Sequence, residues 1–205
     1  TLNQVAYDVT RAPAGGTFTL GNSDWHKLTG NYPSGFSTYS LATSSTTDYN
    51  GSGAQNVSPQ NYGNLILSNA GTKTALGNVT VNGNLNIQNS AALAGNSYSH
   101  TVFGNWTNNS VFSPGTSTVI FAGSNAQNIT GSGATAFNNL TINKSASGNT
   151  VTNAETDKAF SANNVTVTSG NLILKAIDNN YVVSGNLNVA TNGMLTHSVS
   201  WDATY

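Results

Sequence analysis

The sequence predicts an all-β fold, a parallel β-helix (β-solenoid) built from stacked coils of about 20–25 residues. Three observations lead there. The 205 residues include 32 Asn, 27 Thr, 24 Ser and 21 Gly, about half the chain, and these are mediocre to poor helix formers. A long internal repeat runs through most of the sequence. Within it a shorter period places brief alternating strands between Gly-Asn or Asn-Gly pairs. An antiparallel β-sandwich is the competing architecture, since short strands with frequent turn signals also fit it. The shared strand template favours the solenoid, because successive strands of a sandwich occupy different environments.

The elements follow in chain order. Residues 1–23 lack the repeat and read as an N-terminal strand or cap. There Val5, Tyr7 and Val9 alternate as in a half-buried strand. That strand either packs in its own subunit or is donated to a neighbour by β-augmentation. Residues 24–48 form a partial unit, with Trp25 standing where Trp106 stands later. Residues 49–120 and 121–205 are two copies of a longer unit. Gly51, Ala54, Gln55 and Asn56 recur 72 positions on as Gly123, Ala126, Gln127 and Asn128. Tyr49 and Phe121, and Val57 and Ile129, match in kind.

Asn-Leu or Asn-Val steps mark the short period. Leu65, Leu85 and Trp106 are separated by 20 and 21 residues, and Leu140, Val165 and Leu187 by 25 and 22. Each step opens a strand such as Val79-Thr80-Val81 or Leu85-Asn86-Ile87, one set of side chains inward and the polar set outward. Glycine and asparagine tolerate the positive φ that corners demand. Inward-facing Asn at stacked positions are expected to form amide ladders, each amide bonding the coil above and below.

Composition excludes several classes. Six Lys+Arg against seven Asp+Glu give a net charge of −1 and no basic footprint for nucleic acid. No apolar run approaches the roughly 20 residues of a membrane helix, so no membrane insertion is expected. Cysteine is absent, which removes disulfides and thiolate metal sites. The start at Thr1 is consistent with a processed end. A surface of amides and hydroxyls lacks the charge repulsion that keeps proteins apart and suits self-association.

The pattern aromatic-x-Gly-x-x-x-Gln-Asn-(Val/Ile) occurs at 49–57 and 121–129. It is followed by (Tyr/Phe)-x-Asn-Leu at 62–65 and 137–140, Asn-Val-Thr-Val at 78–81 and 164–167, and Gly-Asn-Leu at 83–85 and 170–172. Over residues 40–195 this resembles repeats of secreted bacterial surface adhesins and β-solenoid stalks of the Bacteroidetes type. The resemblance implies export to the extracellular cell surface, a rod-like all-β fold and a structural or adhesive role. It implies no catalytic residues.

Candidate chemistry is sparse. Glu155 and Asp157 are the one close acid pair, with Lys158 beside them, and read as a solvated loop, not a glycosidase pair or calcium site. Asp24-Trp25-His26 reads as a capped corner beside a packed Trp, not part of a catalytic triad. His100 and His197 lack metal-ligand spacing and read as surface or turn residues. Trp106, Tyr49 and Phe121 read as core. Scattered Thr-x-Thr pairs, such as Thr17/Thr19, Thr116/Thr118 and Thr166/Thr168, do not make the regular array of an ice-binding face. Asn-x-Ser/Thr sites at Asn56, Asn78, Asn105, Asn108, Asn128, Asn139, Asn143 and Asn164 are strand-corner residues first and glycan acceptors second.

No catalytic, metal or cofactor site is therefore expected. The expected role is a structural subunit of an extracellular filament, joined to copies of itself by end-to-end strand stacking or strand donation. Val5, Tyr7 and Val9 at one end, and Trp201 and Tyr205 at the other, are the self-assembly candidates. A carbohydrate-binding adhesin or stalk module, with surface glycans as partners, is the alternative.

Overall fold

A computed structural model describes residues 1–4, 8–88, 90–154, 161–175 and 181–198. Among these residues there is no helix and all strand pairing is parallel, which rules out the antiparallel sandwich. The chain winds through about nine turns of a β-solenoid.

The lowest two turns hold β1 (Leu2–Gln4), β2 (Thr17–Leu20), β3 (Trp25–Leu28) and β4 (Thr38–Leu41). Four turns of three strands follow. They comprise β5 (Thr46–Tyr49), β6 (Gln55–Val57) and β7 (Asn61–Tyr62), then β8 (Asn64–Leu67), β9 (Gly71–Ala75) and β10 (Val79–Val81). Above them lie β11 (Leu85–Ile87), β12 (Ala91–Ala94) and β13 (Ser99–Val102), then β14 (Trp106–Asn108), β15 (Val111–Ser113) and β16 (Thr118–Gly123). The upper turns hold β17 (Gln127–Thr130), β18 (Ala136–Lys144), β19 (Thr150–Asn153), β20 (Ser161–Lys175), β21 (Val182–Val183) and β22 (Leu187–Ser198), of which β18, β20 and β22 are long.

Three faces result. The first stacks β1, β3, β5, β8, β11, β14, β17 and β19, then the C-terminal parts of β20 and β22. The second stacks β6, β9, β12 and β15. The third stacks β7, β10, β13, β16 and β18, then the N-terminal parts of β20 and β22. In the lowest turns β2 pairs with β4 ahead of the first face.

Alternation within each strand sends every second side chain inward, and parallel register stacks these into columns. Tyr62, Val81, Val102, Phe121, Ile142 and Val167 form one such column, each fully buried. Trp106 fills the centre, with its ring centroid 4.9 Å from Phe112 and 5.7 Å from Phe137. Lower down, Tyr49 OH meets Tyr62 OH at 2.7 Å, Tyr62 OH donates to Ser58 O, and Ser58 N donates to Tyr49 OH. This closed ring satisfies two buried phenols.

The columns correct one sequence expectation. Leu2, His26, Thr47, Leu65, Leu85, Trp106 and Ile129 are in register, so His26, not Trp25, occupies the Trp106 position. Trp25 points outward, with Lys27 Nζ 5.7 Å from its ring. The 72-residue repeat also does not return to the same face. Tyr49 ends β5 on the first face, whereas Phe121 lies in β16 on the third. The repeat advances three turns and two faces.

Glycine at the corner entering the first face acts by close approach. Gly83 N donates to Gly63 O at 2.7 Å, and Gly104 N to Gly83 O at 2.9 Å. A Cβ on Gly104 would lie 2.3 Å from Gly83 O. The positive φ expected of such corners is found at Gly170 (98°), not at these three.

Candidate functional site

Two asparagine ladders explain the recurring Asn-Leu steps. At the corner entering the first face, Asn64 Oδ1 accepts the backbone N–H of Asn84 (2.9 Å). Asn84 Oδ1 accepts that of Asn105 (2.8 Å), and Asn105 Oδ1 that of Asn128 (2.8 Å). At the corner entering the third face, Asn164 Nδ2 donates to Asn139 Oδ1 (2.9 Å), and Asn186 N donates to Asn164 Oδ1 (2.9 Å). The expected ladders therefore exist, but at part-exposed corners and mainly from side chain to backbone. Each carbonyl satisfies a backbone N–H that the turn removes from the strand ladder.

The Gln of the long repeat builds a second device. Gln55 Nε2 donates to Leu28 O and Gly30 O of the turn below. Lys73, fully buried, donates to Gly51 O (2.6 Å), Gly53 O (3.2 Å), Gln55 Oε1 (2.8 Å) and Ala70 O (3.2 Å). Three turns and two faces further on, the pattern recurs. Gln127 Nε2 donates to Val102 O and Gly104 O, while Lys144 Nζ donates to Ala122 O, Asn125 O and Gln127 Oε1. Each lysine is a tethered cation in a cage of neutral oxygens. Burial lowers the pKa of both, that of Lys144 to about 8. No sequence rule marks Lys73 or Lys144 as buried, since lysine is almost never buried unless its charge is met.

The histidines depart from expectation. His100 is buried in β13, between Val79 and Val119 in register, with Nε2 2.9 Å from Gly95 O. His26 is buried with Nε2 3.1 Å from Gln4 Oε1, and burial lowers its pKa to about 4. Both replace an apolar side chain in an inward column. His197 is exposed. In Asp24-Trp25-His26 the three side chains diverge: Asp24 Oδ2 accepts Gly21 N, Trp25 faces out and His26 faces in. Glu155, Asp157 and Lys158 lie outside the described residues. Among the described residues no three His, Cys, Asp or Glu cluster as metal ligands.

Among the acceptor candidates, Asn108 is fully buried, its Nδ2 donating to Ala134 O and Thr135 Oγ1 and its Oδ1 accepting Ser110 N. That geometry removes it as a glycan acceptor in the folded chain. Asn164 Nδ2 is engaged in the ladder, and Asn139 Nδ2 donates to Thr116 O, Ser117 O and Asn138 Oδ1. Asn56, Asn78, Asn128 and Asn143 are exposed, and Asn105 is half-buried.

The two ends of the solenoid differ. At the N-terminal end, β1 pairs with β3 of its own chain, and Phe18 and Leu20 of β2 are covered. Phe18 packs against His26, Tyr32, Phe36 and Tyr39. Val9 is half-buried, and its carbonyl accepts Ser34 N. At the C-terminal end, Leu187 and Val189 continue columns in which Leu140, Val165, Ile142 and Val167 are at most 1% exposed, yet they are 51% and 42% exposed. Met194 and Leu195 are exposed beside them. Val5, Tyr7, Trp201 and Tyr205 lie outside the described residues.

No helix among the described residues is long and apolar enough to cross a membrane. No protein-family model matches the chain, and no curated protein or solved structure shows significant similarity to it.

Proposed function

We propose that the protein is a structural rod subunit of an extracellular bacterial surface fibre, joined head to tail to copies of itself through its C-terminal coil. The observation that carries this reading is the uncovered top turn. Leu187, Val189 and Leu195 are apolar residues of inward columns left in water, Met194 is exposed beside Leu195, and among the described residues no strand covers the outer edge of β22. Exposed edges of this kind template pairing with another strand, and charge or proline usually blunts them. The stretch 181–198 contains no Lys, Arg, Asp, Glu or Pro.

The opposite end supplies the matching backbone. The free edges of β1 and β2 lie under the first face and ahead of it, as the two parts of β22 lie at the top. A copy stacked there continues the parallel ladder in the same polarity. The N-terminal strand thus acts as a receiving edge, not as a donated arm.

Static light scattering over a dilution series tests this. The unaltered chain forms species far above its 21.1 kDa mass, and Val189→Asp leaves a folded monomer. Assembly unaffected by Val189→Asp, or a product that stops at a dimer, would contradict the reading.

A further inference from the structure

The outer surface of the first face carries a polar groove of about 580 Å³, lined by Asn50, Ser68, Asn69, Asn86, Gln88 and Asn109. Its residues come from four successive turns. Tyr49, Leu67, Ile87 and Asn108 are in register, so Asn50, Ser68, Gln88 and Asn109, each next in sequence, form a row with one side chain per turn. Turns are about 4.8 Å apart, so the row is about 14 Å long. Through Asn50 it continues into a second hollow beside Asn3, Lys27 and Thr29.

Part of this lining is unused. Four of its polar residues bond neighbouring turns: Asn50 Nδ2 donates to Ser68 Oγ, Ser68 Oγ to Asp48 Oδ1 and Asn69 Nδ2 to Asn50 O, and Asn109 Oδ1 accepts Ser132 N. Asn86 Oδ1 is shielded from solvent and accepts no hydrogen bond, and a shielded carbonyl of this kind is costly to leave unpaired. Among the described residues, Gln88 and Ser90 are likewise without side-chain hydrogen bonds, and neither is needed for the stack.

We infer that this groove is a binding site for a linear, uncharged saccharide chain. Amides offer a donor and an acceptor side by side, which matches adjacent sugar hydroxyls. Ala70 supplies an apolar contact in the lining for the C–H face of a sugar ring, and Ile66 lies in register between Asp48 and Asn86 on the neighbouring outward row. The groove's eight lining residues include no cation for an anion to meet, Lys27 standing only in the adjoining hollow, and the Asp48 carboxyl lies next to Ser68. A peptide adding as a strand has no edge here, because β5, β8, β11 and β14 are paired on both sides. The row of one polar group per turn suits a ligand that repeats along the solenoid axis.

Isothermal titration calorimetry of the assembly-blocked Val189→Asp chain separates this site from the end-to-end contact. The probes are β-linked hexasaccharides of glucose, N-acetylglucosamine, galactose and xylose. At least one binds, and the double variant Asn86→Ala, Gln88→Ala weakens that binding by roughly tenfold or more. The double variant keeps its circular dichroism and melting temperature, because neither side chain belongs to a ladder. If no hexasaccharide binds, or binding survives the double variant unchanged, the assignment is overturned.

Discussion

Lys73 illustrates how a nearly uncharged protein uses its few charges. Its ammonium meets four oxygens and no carboxylate, so it holds the turns on either side of the Gln55 corner together. Lys73→Met would keep much of the volume but take this donor from the Gly51, Gly53 and Ala70 carbonyls, while Gln55 Oε1 keeps the Gly51 N–H. The expected loss is roughly 2–4 kcal/mol, read as a lower urea midpoint. A variant as stable as the unaltered chain would show the cage to be dispensable. The two buried histidines set a pH dependence. Burial depresses His26 to about 4 and lowers His100 as well, so the folded chain binds fewer protons than the unfolded chain between those values and the ordinary 6.5. Stability is then full above pH 6.5 and falls as pH drops toward 4. Asp48, pushed up by burial, works against this trend, and Asp8, lowered by Asn31, adds to it. His26→Leu should flatten the profile, since leucine fills the same column at Leu65 and Leu85. An unchanged slope of urea midpoint against pH would place the acid sensitivity elsewhere. Sequence alone placed Trp106, Tyr49 and Phe121 in the core, because bulky aromatics at repeat positions have few other destinations. It misplaced His100 and passed over Lys73 and Lys144, because burial of a polar side chain depends on partners a whole turn away.

Among elements, the corners decide the fold more than the strands. A strand of three residues such as β11 carries little intrinsic stability, so the stack relies on what its turns allow. Gly104→Ala would press a methyl group against Gly83 O, 2.3 Å from the new Cβ. The corner would have to open, at a cost of roughly 1–3 kcal/mol. Asn84→Ala removes one rung of the ladder and leaves the Asn105 N–H unpaired, for a loss of about 1 kcal/mol. Thermal melts of the two variants rank them, and a glycine variant that melts with the unaltered chain would refute the close-approach account. The short period was legible because each Asn-Leu step combines a ladder amide with an inward apolar side chain. That the steps belong to two different corners was not, since both corners need the same pair of residues. The long repeat was legible for the same reason, but a sequence offset of 72 does not say how many faces it crosses.

For the whole molecule, the all-parallel solenoid followed from stacked, interchangeable strands, whereas the contrast between its ends required coordinates. Phe18 and Leu20 are inward residues of the first turn and are covered, while Leu2 of the same turn is 41% exposed. Leu187 and Val189 are inward residues of the last turn and are not covered. Phe18 is buried against Tyr32, Phe36 and Tyr39, an aromatic cluster with no repeat signature in the sequence. The proposed fibre follows from this contrast, and its geometry is fixed in advance. Nine turns at about 4.8 Å give an axial subunit repeat of about 43 Å if the ladder runs unbroken across the joint. Electron microscopy of the purified chain with helical reconstruction tests that most directly. The prediction is a single-start fibre with that axial repeat and a continuous 4.8 Å strand spacing through each junction. Monodisperse particles of one chain, or fibres whose strand spacing is interrupted at every junction, would contradict it.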